Sequence, residues 1–195
     1  MCTLRARLVY SSLTLHSPSY FPPPRTHYFY NLLGAKYTFP AWRLNDVPIA
    51  LILITHGYFI TYHTLTTIGL RRFWTSFWYR RAGKATRVVA SVLLVAAMSY
   101  FTAFAETLTI ASFPYYELAD RSRMYSVGSI CYGLYFIVTF PMYYAIDEPT
   151  PFSMERVVTS VLASCMAVTM LLDFWRISVG SIVEGVKAST CVPFM

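Results

Sequence analysis

The sequence predicts an all-α fold: a polytopic transmembrane helix bundle with four spanning helices. Three observations predict it. The chain is 56% hydrophobic and only 13% charged, whereas a soluble domain carries about 25% charged residues. The apolar residues are clustered into four stretches, Val47 to Leu70, Val88 to Phe113, Val127 to Ile146 and Val157 to Val179. Each is long enough to cross a hydrocarbon core, which takes about 20 residues. Charge is almost absent from them: the first and third hold no Asp, Glu, Lys or Arg, the second holds Glu106, and the fourth holds Asp173 and Arg176 near its end. An open chain satisfies its backbone in lipid only as a helix.

Along the chain, residues 1–25 ("MCTLRARLVYSSLTLHSPSYFPPPR") differ in character. They combine Arg and Ser with a short apolar run, but lack a continuous h-region and an A-x-A-type cleavage site. Pro22, Pro23 and Pro24 bar a helix interior there, so a divergent, poorly ordered segment is expected. The helix bundle then occupies 26–183, with a short tail at 184–195. "THYFYNLLGAKY" (Thr26 to Tyr37) reads as a helix tail closed by Gly34. Asn45 or Asp46 is the expected N-cap of the first spanning helix, with Pro48 in its first turn. Pro114 stops the second helix. Pro141 falls inside the third and is expected to kink it unless neighbours compensate. "DEPTPF" (Asp147 to Phe152) is the next turn.

The net charge of +7 does not imply nucleic acid. Arg71, Arg72, Arg80, Arg81, Lys84 and Arg87 fall between the first two helices with no acid among them. A short basic loop flanking membrane helices marks the cytoplasmic side, and Trp74, Trp78 and Tyr79 fit an interfacial belt. The bilayer is the implied partner, and the 114–124 loop is then lumenal. Cys2, Cys131, Cys165 and Cys191 form no close pair and no zinc spacing; packing is their expected role.

Ionisable residues at membrane depth are rare, and they face a bundle interior or a cavity. Glu106 lies seven residues before Phe113, so roughly 10 Å from that helix end. Ionised in lipid it would be costly; it must be protonated, paired or near water. A helix-to-helix hydrogen bond is the structural alternative to a chemical role. His56 and His63 stand nearly two turns apart on one face, with Thr55, Tyr62 and Thr66 nearby. A metal site needs closer spacing and more ligands, so no metal is expected. The histidines are either bonded to neighbouring helices or line a proton-exchanging cavity. "FPYYELADRSRMY" groups Glu117, Asp120, Arg121 and Arg123 at a helix end. It is either a solvated turn with weak ion pairs or the rim of a pocket. Asp173 and Arg176 are spaced to pair along one face. With 17% aromatic residues, a pocket lined by ring faces would suit a flat apolar ligand and stabilise a carbocation.

The segments "LGAKYTFPAWRLNDVP", "LITHGYFITYH", "SYFTAFAETLTIASFPYYELADRSRMYSVG", "YFIVTFPMYYAIDE" and "LLDFWRISVGSIV", in that order, closely resemble the cycloeucalenol cycloisomerase family of plant sterol enzymes. The resemblance covers about Thr26 to Val183 and all four helices. It implies an isomerase of the endoplasmic reticulum membrane that opens the 9β,19-cyclopropane ring of cycloeucalenol to give obtusifoliol, with no redox cofactor. The substrate is then a cyclopropyl sterol. That reaction needs an acid to protonate the cyclopropane methylene and a base to remove a neighbouring proton.

Glu106 leads as proton donor, with His56 or His63 as base and Glu117 and Asp120 as alternative donors. A histidinium donor with a carboxylate base is the inverted assignment. The family carries further hydrophobic helices upstream of Thr26, so the resemblance is to an N-terminally truncated or divergent form. A non-catalytic sterol-binding or structural membrane protein is the second reading. A proton-coupled transporter subunit is the third, weaker because no inverted repeat or unwound half-helix appears.

Overall fold

The computed structural model describes residues 33–44, 47–146 and 153–180. The N-terminal segment, the Thr26 helix tail up to Leu32, the Asn45 and Asp46 caps, the "DEPTPF" turn and the C-terminal tail lie outside the described residues. Four helices are long and apolar enough to cross a membrane: α1 (Ile49–Trp74), α3 (Lys84–Ile110), α4 (Arg121–Ile146) and α5 (Met154–Ser178). A short helix α2 (Phe77–Arg81) sits in the basic connection between α1 and α3. Two small antiparallel ladders complete the described fold. Strand β1 (Ala35–Tyr37) pairs with β4 (Tyr116–Leu118), and β2 (Arg43–Leu44) pairs with β3 (Val47–Pro48).

Local chemistry accounts for the ends. Pro48 is the residue before the first turn of α1, where its missing N–H is harmless. Ser76 caps α2 by accepting from the Tyr79 N–H, and Ser153 caps α5 by accepting from the Arg156 N–H. Asp120 caps α4 by accepting from the Arg123 N–H at 2.9 Å. Gly34 takes φ of +65°, a conformation that favours glycine, and turns the chain into β1. Helix α3 ends at Ile110, and Pro114 follows in the turn. Pro141 lies inside α4, which runs on to Ile146.

Helix α4 is the centre of the bundle. It packs most extensively on α3, then on α5, then on α1. The α3 face is a stripe of mostly small residues at four-residue spacing: Val95, Ser99, Ala103 and Thr107, all buried. Opposite it on α4 lie Ser129 and Gly133, also buried. A Cβ at Gly133 would stand 3.6 Å from the Ser99 carbonyl group, so the backbones approach closely. Small residues at such contacts are how membrane helices gain dispersion energy without a hydrophobic driving force. Helix α5 presents Val157, Val161, Ser164, Cys165, Val168 and Leu172 to the bundle. Its Ser164 hydroxyl donates to the Met142 sulfur of α4 at 2.8 Å, one residue beyond Pro141. Cys131 and Cys165 are buried. Asp173 and Arg176 pair at 3.3 Å, as their spacing implies.

Helices α1 and α3 both lean on α4 and meet each other less. One point of contact is Gly69 against the Met98 side chain, towards the basic loop. Farther along, the walls carry polar groups.

Candidate active site

Glu106 lies on α3 between the buried Ala103 and Thr107 and is half-buried itself. It therefore sits at the edge of the stripe that meets α4. The tight Ser99–Gly133 approach brings Tyr132, the neighbour of Gly133, within reach. The Tyr132 hydroxyl donates to Glu106 Oε2 at 3.0 Å. A carboxyl group held this way has Oε2 occupied as an acceptor, which leaves Oε1 to carry or receive a proton. Tyr62 of α1 reaches the same region, since its ring meets Phe136, which also packs on Tyr132.

Phe136, one turn beyond Tyr132, organises the rings around this pair. Its ring is fully buried and lies 5.2 Å from Tyr132, 4.9 Å from Phe140 and 5.6 Å from Phe59 of α1. Tyr62 meets it edge-on at 6.3 Å. Rings at these separations attract one another beyond simple area burial. The cluster ties α1 to α4 and presents quadrupole faces beside the carboxyl group.

His63 is at the other side of the same cluster. It is fully buried, with its ring 6.3 Å from Phe136, 5.1 Å from Phe140 and 4.9 Å from Tyr143. Its Nδ1 lies 2.8 Å from the Phe59 carbonyl oxygen. A carbonyl only accepts, so Nδ1 carries the hydrogen. Neutral His63 then has its lone pair on Nε2, and Nε2 is buried with no hydrogen-bond partner among the described residues. A buried, unpartnered imidazole nitrogen is uncommon and chemically available.

The other sequence-derived candidates stand apart from this cluster. His56 lies two turns earlier on α1, is half-buried, and makes no ring contact with Phe136. Glu117 is exposed in β4, directly opposite Lys36 of β1. Asp120 has the helix-capping role described above. The "FPYYELADRSRMY" segment thus forms half of a small ladder: Thr38 N–H donates to the Tyr115 carbonyl at 2.9 Å, and Tyr37 packs on buried Tyr116 at 4.9 Å.

Tyr132 and Phe136 are the residues that sequence reasoning missed. Their signal was present as two rings at i, i+4 spacing beside a glycine in "CYGLYF". Among the described residues, no three His, Cys, Asp or Glu side chains group closely enough to hold a metal ion.

The chain is similar to the cycloeucalenol cycloisomerase of Arabidopsis thaliana. The two are 41% identical over 169 residues, 86% of this chain. The chain spans 60% of the length of that relative. No protein-family model matches the chain, and no solved structure matches it.

Proposed function

We propose that this membrane protein is a sterol isomerase that opens the 9β,19-cyclopropane ring of cycloeucalenol to give obtusifoliol, acting in the endoplasmic reticulum membrane. The observation that carries the reading is the Glu106–Tyr132 pair beside a ring cluster that also holds His63. The similarity to a cycloisomerase supports the substrate class.

In this mechanism Glu106 Oε1 gives its proton to the cyclopropane methylene carbon. The strained carbon–carbon bond supplies the electron pair, and a tertiary cation remains at ring carbon 9. Tyr132 keeps its hydrogen bond to Oε2 and so stabilises the carboxylate left behind. The faces of Phe136 and Tyr62 attract the cation. His63 Nε2 then takes the proton from the adjacent ring carbon 8, and that C–H pair becomes the new double bond. One proton enters the sterol and one leaves, so substrate and product are isomers. Proton return from His63 to Glu106 resets the site.

Expression of this chain in a cell lacking cyclopropyl-sterol isomerase tests the reading. Sterol profiling should show the cyclopropyl sterol falling and its 8-ene isomer rising. A folded, membrane-inserted protein that leaves the cyclopropyl sterol unchanged would instead support a sterol-binding or structural role.

A further inference from the structure

The bundle end opposite Glu106 carries a second polar construction, unrelated to the proton chemistry. Lys84 and Glu106 are 22 residues apart on one helix, so roughly 33 Å separates the two ends by helical rise. Helix α1 closes on Arg71 and Arg72, α2 ends on Arg80 and Arg81, and α3 opens with Lys84 and Arg87.

This connection is stapled down. The Trp74 indole N–H donates to Ser91 Oγ at 2.9 Å, and the Tyr79 hydroxyl lies 3.1 Å from the same oxygen. Arg87 donates from Nε to the Ala82 carbonyl at 2.8 Å and from Nη2 to the Arg80 carbonyl at 2.9 Å. Arg81 stacks over the Phe77 ring at 4.2 Å.

What the connection presents outward is cationic and aromatic. Trp78 is 82% exposed and Phe77 is 59% exposed. Arg72, Arg80 and Lys84 are exposed as well. None of Arg72, Arg80, Arg81, Lys84 and Arg87 forms an ion pair among the described residues. At this end Glu155 is an exposed acid at the start of α5; Asp147 and Glu148 lie outside the described residues. Cations with no acid of their own, around a projecting indole, match a phospholipid interface. Guanidinium and ammonium groups bind phosphate oxygens, and Trp favours the depth of the headgroups.

We propose that the α1–α3 connection is a binding site for the phosphate headgroup of an anionic phospholipid, held by Arg72, Arg80 and Lys84 and anchored by Trp78. The site would tie the leaflet on this side to the end of the bundle far from Glu106.

The test uses the full chain purified in neutral detergent, with thermal unfolding followed as lipid is added. Phosphatidylglycerol should raise Tm saturably, whereas phosphatidylcholine and inorganic phosphate should not. An Arg72→Gln, Arg80→Gln, Lys84→Gln variant should bind phosphatidylglycerol about tenfold more weakly or worse. Phosphatidylglycerol with brominated acyl chains should quench Trp emission in the native protein and less in Trp78→Phe. Should the triple variant not fold, salt decides: 0.5 M NaCl, which shortens the Debye length to about 4 Å, should weaken the shift in the native protein. Equal shifts with phosphatidylcholine or with inorganic phosphate, or a shift indifferent to salt, would overturn the proposal.

Discussion

Tyr132 of α4 donates a hydrogen bond to Glu106 Oε2 of α3 at 3.0 Å. The contact joins an acid on one membrane-length helix to a phenol one residue from a close backbone approach between α3 and α4, Gly133 against Ser99. Position and chemistry are therefore linked: the packing that brings the helices together also orients the carboxyl group.

Replacing Glu106 by Gln keeps shape and hydrogen bonding but removes the transferable proton. Turnover of a cyclopropyl sterol should fall by about 10²- to 10⁴-fold, the usual range for a general acid. Tyr132→Phe leaves Glu106 in place and removes one hydrogen bond to its charged form, so kcat should drop roughly tenfold or more with KM little changed. Sterol conversion in membranes containing each variant is the measurement. Full activity in Glu106→Gln would exclude Glu106 as the donor.

Asp120 separates a structural from a chemical role. Its carboxylate accepts the Arg123 N–H, a duty that Asn performs equally well. Asp120→Asn should keep both Tm and sterol conversion. Asp120→Ala should lose about 1 kcal/mol of stability while conversion persists in the folded fraction. Loss of activity in the Asn variant at unchanged Tm would mark Asp120 as a proton donor instead.

The four membrane helices were legible because apolar length and scarce charge are properties of the sequence itself. Glu106 and His63 stood out for the same reason, as ionisable groups in apolar runs. What was not legible was the pairing across helices. Tyr132 looks like any of the 16 tyrosines until α3 and α4 are packed and its hydroxyl meets a carboxylate. The π turn at Met124–Gly128 adds a residue to one turn of α4 and shifts the phase of everything beyond it, including Tyr132. Seven-residue spacing placed His56 and His63 on one face, yet only His63 joins the Phe136 cluster. The β1–β4 ladder was also hidden, since its partners lie about 80 residues apart in the chain and strand pairing at that distance has no local signature.

Gly133 tests the packing that supports the site. A methyl group there would sit 3.6 Å from the Ser99 backbone, an ordinary contact, so Gly133→Ala should be tolerated. Gly133→Leu must push α3 away from α4. A loss of about 1–3 kcal/mol is expected, and Glu106 should separate from Tyr132. Thermal unfolding in detergent and sterol conversion should fall together in the Leu variant and remain near native in the Ala variant.

His63 supplies the sharpest separation of roles. Its Nδ1–H is committed to the Phe59 carbonyl, and its Nε2 is the available base. His63→Ala should remove turnover but also open a cavity in the ring cluster, which lowers stability and confuses the two effects. His63→Phe refills the space with a ring and restores packing against Phe140 and Tyr143 while providing no base. That variant should recover much of the Tm lost in His63→Ala and still convert sterol at least about 10²-fold more slowly than the native chain. His56→Ala, outside the ring contacts of Phe136, should retain most of the conversion. The reverse pattern, with His63→Phe active and His56→Ala inactive, would move the base to His56 and leave His63 as a packing residue.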